Sequence, residues 1–362
     1  MDAQAAHHQN RPGRQNPQDS KSTNGSDDVP TLEELYHDYR RYAFAVAYRM
    51  LGTVTDAEDI VQDCFIELKA RSLTEVRDFK AYIAKMIVNR SINRLNSARM
   101  QREIYVGAWL PEPLGEAVDS PEVLTERKDQ LSYAFMVLLE QLRPEERAVF
   151  VLREAFQYPY KDIAETLDMT ESNCRQLYSR SRRRLQSGTG TGEHMDSVEK
   201  TGSTAAKVPH TEFLKSARSM TAPSDQVDRN RVDQGRAALL DRFTAAFMAY
   251  DIHAMLELLA EKPMLISDGG GKVFTVARPM HGQKGVLALL TSRKVFTSLR
   301  NYPLSSAIMN GELQLALIDA GKVIGAICLK LTPDQAHIEQ LYVMLNPDKL
   351  RTVQYQPHTN PN

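Results

Sequence analysis

The chain has 362 residues, more than one domain usually contains, so two or three domains are expected. Hydrophobic residues make up 42% and the formal net charge is −1, which fits a globular protein and restricts any nucleic-acid site to a local patch. No stretch approaches the roughly 20 apolar residues that span a bilayer, and the polar N-terminus lacks a signal-peptide core. The cysteines Cys64, Cys174 and Cys328 form no CxxC pair. We therefore expect a cytoplasmic protein with reduced thiols, no metal and no cofactor.

The character of the sequence changes several times along the chain. A polar start poor in apolar residues is typical of a disordered tail, and two blocks with helical periodicity follow. A stretch rich in Gly, Ser and Thr then separates them from a block of alternating character with Gly turns. The predicted order is a tail over 1–30, a first helical block over 31–99, a connecting segment over 100–121, a second helical block over 122–186, a flexible linker over 187–234, an α+β domain over 235–350 and a tail over 351–362.

The segment DAEDIVQDCFIEL (56–68) predicts an amphipathic helix with Asp56 at its N-cap position. Its apolar residues recur at helical spacing, and Glu58, Asp59 and Asp63 fall on the outer side. An acidic outer face suits a basic partner surface. The solvent-exposed face of an ordinary helix would have the same pattern.

The next predicted helix, from Phe79 to Arg99, has a polar stripe opposite its apolar side. Asparagine is a mediocre helix former, so its repetition on one face suggests a function. Amide and guanidinium groups can read base edges and hold phosphates, although a merely hydrophilic face is the alternative. The stripe comprises Lys85, Asn89, Asn93 and Asn96, with Arg90, Arg94 and Arg99 beside it.

The segment YKDIAETLDMTESNCRQLYSRSRRRLQ (160–186) predicts a helix-turn-helix, with Thr170 as N-cap of the second helix. From Glu171 to Gln186 there are one acid and five arginines, a local charge of +4. This charge is an electrostatic footprint for DNA on a nearly neutral chain. The outward face of the second helix carries Ser172, Arg175, Gln176, Ser179 and Arg183.

Three segments together resemble extracytoplasmic-function, or group IV, sigma factors. YRMLGTVTDAEDIVQDCFIEL and FKAYIAKMIVNRSINRLNSAR look like region 2, and LRPEERAVFVLREAFQYPYKDIAETLDMTESNCRQLYSRSRRRL looks like region 4. The resemblance implies a protein that binds core RNA polymerase, at its β′ clamp helices and β flap, and directs it to promoter DNA. By residue, it implies polymerase contacts at Asp56, Glu58, Asp59, Gln62 and Asp63, −10 contacts at Lys85, Asn89, Arg90, Asn93 and Arg94, and −35 contacts at Ser172, Arg175, Gln176, Ser179, Arg180 and Arg183.

Three further segments are similar to the subset of these factors with a C-terminal SnoaL-like domain: YVGAWLPEPL (105–114), SDGGGKV (267–273) and LYVMLNPDKL (341–350). The Asn310-Gly311, Ala320-Gly321 and Pro333-Asp334 turns predict antiparallel strands. With two or three helices they would form a ketosteroid-isomerase-like cone. The fold class is thus two all-α sigma domains plus an α+β cone. The expected contacts with the sigma regions, by which the cone would regulate activity in cis, are Trp109, Asp268, Gly269, Gly270, Gly271, Lys272, Asn346, Pro347 and Asp348.

Two other functions stay open on the residues alone. A ligand-responsive helix-turn-helix repressor or activator could use the cone as a sensor for an unknown small molecule. A cone-fold enzyme could use Asp268, His281 or His337 as a general base. Neither has use for a polymerase-docking helix and a strand-melting helix, and we expect no catalytic residues.

Overall fold

The computed structural model describes residues 30–71, 73–74, 76–102, 105–115, 132–187, 226–292 and 299–353. Most of the predicted tails, about a third of the connecting segment, the start of the second helical block and most of the predicted linker lie outside these residues. Among the described residues, no helix is both long enough and apolar enough to cross a membrane.

The first helical block contains three helices, α1 (Leu32–Leu51), α2 (Val54–Lys69) and α3 (Phe79–Arg102). Thr31 and Glu34 form a capping box that starts α1. Helix α2 begins at Val54 with Thr53 as N-cap, so the expectation that Asp56 is the N-cap is wrong. Asp56 lies in the first turn instead, where its carboxylate accepts a hydrogen bond of 2.7 Å from the Thr53 hydroxyl.

The second helical block contains α4 (Tyr133–Leu139), α5 (Pro144–Glu154), α6 (Tyr160–Thr166) and α7 (Glu171–Ser187). Pro144 occupies the first turn of α5, where its missing N–H costs nothing. The predicted helix-turn-helix is formed by α6 and α7. Buried side chains of both blocks form one continuous apolar cluster, so the two blocks pack on each other.

The α+β domain contains α8 (Gln226–Met248), α9 (Ile252–Leu258), α10 (Gly282–Leu290) and a six-stranded sheet. Helix α8 begins at Gln226, within the predicted linker. Its first turns are mostly polar and have no apolar periodicity, so the sequence pattern did not indicate a helix there. Near the middle of α8, Arg236 anchors the helix to the sheet by hydrogen bonds of 2.7 and 2.8 Å to the carbonyls of Leu313 and Leu329.

The strands are β1 (Leu259–Asp268), β2 (Met280–His281), β3 (Leu304–Met309), β4 (Glu312–Asp319), β5 (Lys322–Leu331) and β6 (Ile338–Met344), in the spatial order β2-β1-β6-β5-β4-β3. Asn310 and Gly311 both have positive φ and form the predicted hairpin turn between β3 and β4. The expectation of a purely antiparallel sheet is wrong, because β1 pairs with β6 in parallel. Strand β1 precedes the DGGGK turn and was not among the predicted strands.

The two faces of this sheet pack against different partners. One face carries α8, α9 and α10 over an apolar core that includes Phe243 and Phe247. The opposite face packs against Leu110 of the connecting segment and Tyr133 and Val137 of α4. Helix α4 therefore lies between the helical core and the cone.

Candidate nucleic-acid interface and regulatory contacts

The acidic face of α2 is presented to solvent. Glu58, Asp59, Gln62 and Asp63 are exposed and Asp56 is half-buried, while the opposite side of the helix packs in the helical core. Carboxylates held on one side of a rigid helix can meet a basic surface without any rearrangement of the backbone.

The polar stripe of α3 lies beside α2. Asn93 is exposed and Asn89 is half-buried. Arg94 Nε donates a hydrogen bond of 3.1 Å to Asp56, and Arg90 forms an ion pair with Glu67. This hydrogen bond to Arg90 lowers the pKa of the Glu67 carboxyl. The structure thus joins two sets of residues that the sequence analysis treated separately.

Lys85, a predicted −10 residue, contacts the second helical block. Its Nζ lies 2.7 Å from the carboxylate of Asp168 and 3.2 Å from the carbonyl oxygen of Glu165. Asp168 belongs to the turn of the helix-turn-helix and has a φ of 50°. The sequence contains no signal for this contact between residues 83 positions apart.

Helix α7 has the two faces that the sequence predicts. Cys174 is fully buried, and the Thr170 hydroxyl accepts a hydrogen bond of 3.2 Å from the Asn173 N–H, as an N-cap does. Arg175 lies against the ring of Tyr160 and pairs with Glu171 of its own helix. The exposed residues of the outward face are Ser172, Arg175, Gln176, Ser179, Arg180 and Arg183.

Asp268 lies at the centre of a buried junction between the cone and the connecting segment. Its carboxylate accepts hydrogen bonds from the Leu110 N–H at 2.9 Å and from the Tyr105 hydroxyl at 2.6 Å, and pairs with Lys349 at 2.8 Å. Lys349 also donates to the Leu110 carbonyl at 2.6 Å, and its Nζ is 3.9 Å from the ring centroid of Trp109. The ammonium group is therefore enclosed by a carboxylate, a carbonyl and an aromatic face.

The DGGGK turn packs tightly against the NPDKL segment. Gly270 has a φ of 61°, and a Cβ there would lie 2.4 Å from the Asn346 amide nitrogen, so only glycine fits. Asn346 donates to the Tyr105 hydroxyl at 2.9 Å, and Lys272 pairs with Asp348 at the surface at 2.5 Å. Of the expected regulatory residues, Asp268, Gly271 and Asn346 contact residues 105–110. The full expected set is Trp109, Asp268, Gly269, Gly270, Gly271, Lys272, Asn346, Pro347 and Asp348.

Sequence reasoning missed Glu112, which links this junction to α2. Its carboxylate accepts a hydrogen bond of 2.8 Å from the Val54 N–H, in the first turn of α2, and one of 3.2 Å from the Thr352 hydroxyl. Its own N–H donates to the Gly52 carbonyl at 2.8 Å. Burial raises the pKa of the Glu112 carboxyl. A glutamate between two prolines was the only signal in the sequence.

The three residues considered as general bases lie in different surroundings. Asp268 is committed to the junction, and His281 and His337 are exposed. Within the described ranges, no three His, Cys, Asp or Glu side chains are placed to hold a metal ion. A pocket of about 370 Å³ is lined by residues of α8, α9 and the turn between them, including Arg242, Asp251 and Glu257.

The fold and these faces define a DNA-binding protein of two helical modules fused to a cone. Residues 35–100 match the model of sigma-70 region 2, and residues 132–185 match that of sigma-70 region 4. A repressor needs only a module of the second kind, so the matches favour the sigma-factor interpretation over that alternative.

Two similar proteins come from Mycobacterium tuberculosis. The chain is 27% identical to the ECF RNA polymerase sigma factor SigJ over 323 residues, 86% of this chain and 90% of SigJ. It is 32% identical to the probable ECF RNA polymerase sigma factor SigI over 149 residues, 41% of this chain and 51% of SigI. The crystal structure of SigJ superposes with a TM-score of 0.61 at 26% identity, covering 89% of this chain and 99% of the SigJ chain. The chain thus contains both sigma-70 regions and is similar over most of its length to an extracytoplasmic-function sigma factor, which confirms the resemblance to the subset with a C-terminal SnoaL-like domain.

Proposed function

We propose that α2 docks this factor on the β′ clamp helices of RNA polymerase while region 4, helices α4 to α7, contacts the β flap. Sigma factors act with core polymerase on promoter DNA, so two surfaces of opposite charge are required. Helix α2 supplies an exposed acidic face and α7 an exposed basic one. In this proposal the chain acts in the cytoplasm and is not an enzyme.

The proposed reading of the promoter divides between two helices. Helix α3 meets the −10 strand through Lys85, Asn89, Arg90, Asn93 and Arg94, and α7 enters the −35 major groove with its N-terminal half. The observation that carries this proposal is the outward face of α7: Arg175, Gln176 and Ser179 are exposed together, behind a capped turn. Arginine and glutamine are side chains that discriminate base edges in the major groove.

The proposed role of the cone is regulation in cis. The Asp268–Lys349 pair holds residues 105–110 against the cone, and the next residues of the segment contact region 2 at Gly52 and Val54. A change in how the cone holds this segment would therefore reach the start of the polymerase-docking helix. The cone and the polymerase-docking helix would be coupled in this way if the protein has two domain arrangements in which the cone makes different contacts with the connecting segment.

In vitro transcription tests the proposal. Core polymerase with the full-length protein is supplied with a library of genomic fragments, and transcript starts are mapped. We expect starts at a common pair of −10 and −35 sequences that core polymerase alone does not use. Starts that do not depend on the added protein would contradict the proposal.

A further inference from the structure

The basic residues of the predicted −10 surface are all engaged by carboxylates from other elements. Lys85, Arg90 and Arg94 lie on α3, and each contacts acidic side chains of α2 or of the helix-turn-helix. Phosphates that reach this surface must displace those carboxylates. The displaced carboxylates would also repel the approaching strand.

Two of these contacts use α2. Arg90 pairs with Glu67 and lies 3.7 Å from Asp63, and Arg94 pairs with Asp56 and lies 3.8 Å from Asp59. Three of the four acids, Asp56, Asp59 and Asp63, are among the proposed polymerase contacts. These three carboxylates thus lie beside the arginines in the free protein and would contact polymerase in the complex, whereas Glu67 pairs with Arg90 and is not a proposed polymerase contact.

The third contact crosses between the two regions. Lys85 of region 2 pairs with Asp168 in the turn of region 4, at 2.7 Å. This pair exists only while region 4 packs against α3. The same packing brings the turn between α6 and α7 next to Lys85 on the predicted −10 surface.

Helix α7 differs from α3 in this respect. The carboxylate beside Arg175 is Glu171, which belongs to the same helix, and Arg175 keeps 61% of its side chain exposed. Gln176, Ser179 and Arg180 are also exposed. No rearrangement of the two regions is needed for this face to meet a duplex.

We infer that Glu67 and Asp168 act as internal competitors for the −10 strand, so that the free factor binds duplex DNA through α7 while α3 excludes single-stranded DNA. Polymerase weakens this competition: its basic surface takes Asp56, Asp59 and Asp63, which lie beside Arg90 and Arg94, and separation of regions 2 and 4 breaks the Lys85–Asp168 pair. The inference rests on the proposed function, since it assigns a regulatory use to the same surfaces.

The test measures binding of the free, full-length protein to a fluorescent single-stranded oligonucleotide of random sequence. Asp168→Asn keeps the positive φ of the turn, which asparagine tolerates. We expect this variant to bind the strand roughly two- to fivefold more tightly, the scale of one exposed ion pair. Glu67→Gln should act in the same direction. Duplex binding should be unchanged in both variants, which also shows that region 4 is folded.

Two controls separate this mechanism from a general change in charge. Glu165→Gln removes one exposed carboxylate from the same helix-turn-helix and should leave strand binding nearly unchanged. In a Lys85→Gln background, Asp168→Asn should give no gain, because the competitor has nothing left to compete for. An equal gain from Glu165→Gln, or a gain that persists without Lys85, would overturn the inference.

A holoenzyme measurement separates this inference from the proposed function. Wild type and Asp168→Asn should melt the same promoter at equal rates with polymerase, because the pair is already broken there. Normal melting together with no gain for the free variant would refute the inference and leave the function standing. Failure of the wild-type holoenzyme to melt any promoter would refute both.

Discussion

Tyr48 in the first helix and Asn310 in the β3–β4 turn are joined by a hydrogen bond of 2.9 Å, although 262 residues separate them. The Tyr48 hydroxyl in turn donates to the Glu112 carbonyl at 2.7 Å, and Asn310 accepts from the Leu114 N–H at 3.0 Å. Region 2, the connecting segment and the cone therefore meet at one buried polar point, where each group has a partner.

The Asp268–Lys349 pair should be the most costly contact of this junction to remove. Asp268→Asn keeps the size of the side chain but leaves the Lys349 ammonium buried without its counter-charge, which costs about 3–5 kcal/mol. Asp348→Asn removes the exposed pair with Lys272 and should cost about 0–1 kcal/mol. Chemical denaturation of the two full-length variants compares them. Equal losses would show that Asp268 is no more important than a surface residue.

Glu112 should make stability depend on pH. Burial raises its pKa in the folded state above the ordinary value of 4.5, so the folded protein holds this proton more tightly than the unfolded chain. The stabilisation is complete below pH 4.5 and is lost as the pH rises through the folded pKa. Relative to Glu112→Gln, wild type should therefore become less stable with rising pH and then level off. A constant difference between the two unfolding free energies would contradict this assignment.

Arg175 and Arg183 should have different effects on promoter binding. If Arg175 reads a base, Arg175→Ala should cost about 1–3 kcal/mol at a −35 element and relax selectivity there. Arg183→Ala should weaken binding to all duplexes alike and make the dependence on salt less steep. Binding to randomised promoters at several salt concentrations measures both. Unchanged −35 selectivity in Arg175→Ala would refute the placement of α7 in the groove.

Charge reversal on α2 should weaken association with polymerase. Asp59→Lys combined with Asp63→Lys places positive charge against a basic partner surface, so co-purification with core enzyme should fall. The matched control reverses two exposed acids of the cone, Asp241→Lys and Asp319→Lys, and should co-purify as wild type does. Equal recovery of core enzyme with both double variants would rule out α2 as the docking surface.

Local features of the fold were predictable because their signals are local. The Asn310-Gly311 turn, the capped helix after Thr170 and the proline at the start of α5 each depend on a few adjacent residues. The basic face of α7 follows from helical spacing alone.

Long-range features were not predictable in the same way. The parallel pairing of β1 with β6 joins strands about 80 residues apart, and β1 contains Lys262-Pro263, which weakens its strand signal. The pairs Lys85–Asp168 and Glu112–Val54 likewise join residues with no common motif. The stability that these contacts contribute depends on how deeply the residues are buried and how close they lie to each other. Neither quantity can be predicted from hydrophobic periodicity.

If the cone modulates a promoter-reading sigma factor from within the same chain, removing the cone should change transcription. The most direct measurement compares transcript yields from one promoter with the full-length protein and with a chain ending at Gln186, each with core polymerase and across a range of salt. We predict the same start site with yields that differ severalfold, because truncation removes the Asp268 junction and uncovers the face of α4 that packs on the sheet. Equal yields and equal core affinity at every salt concentration would contradict the claim.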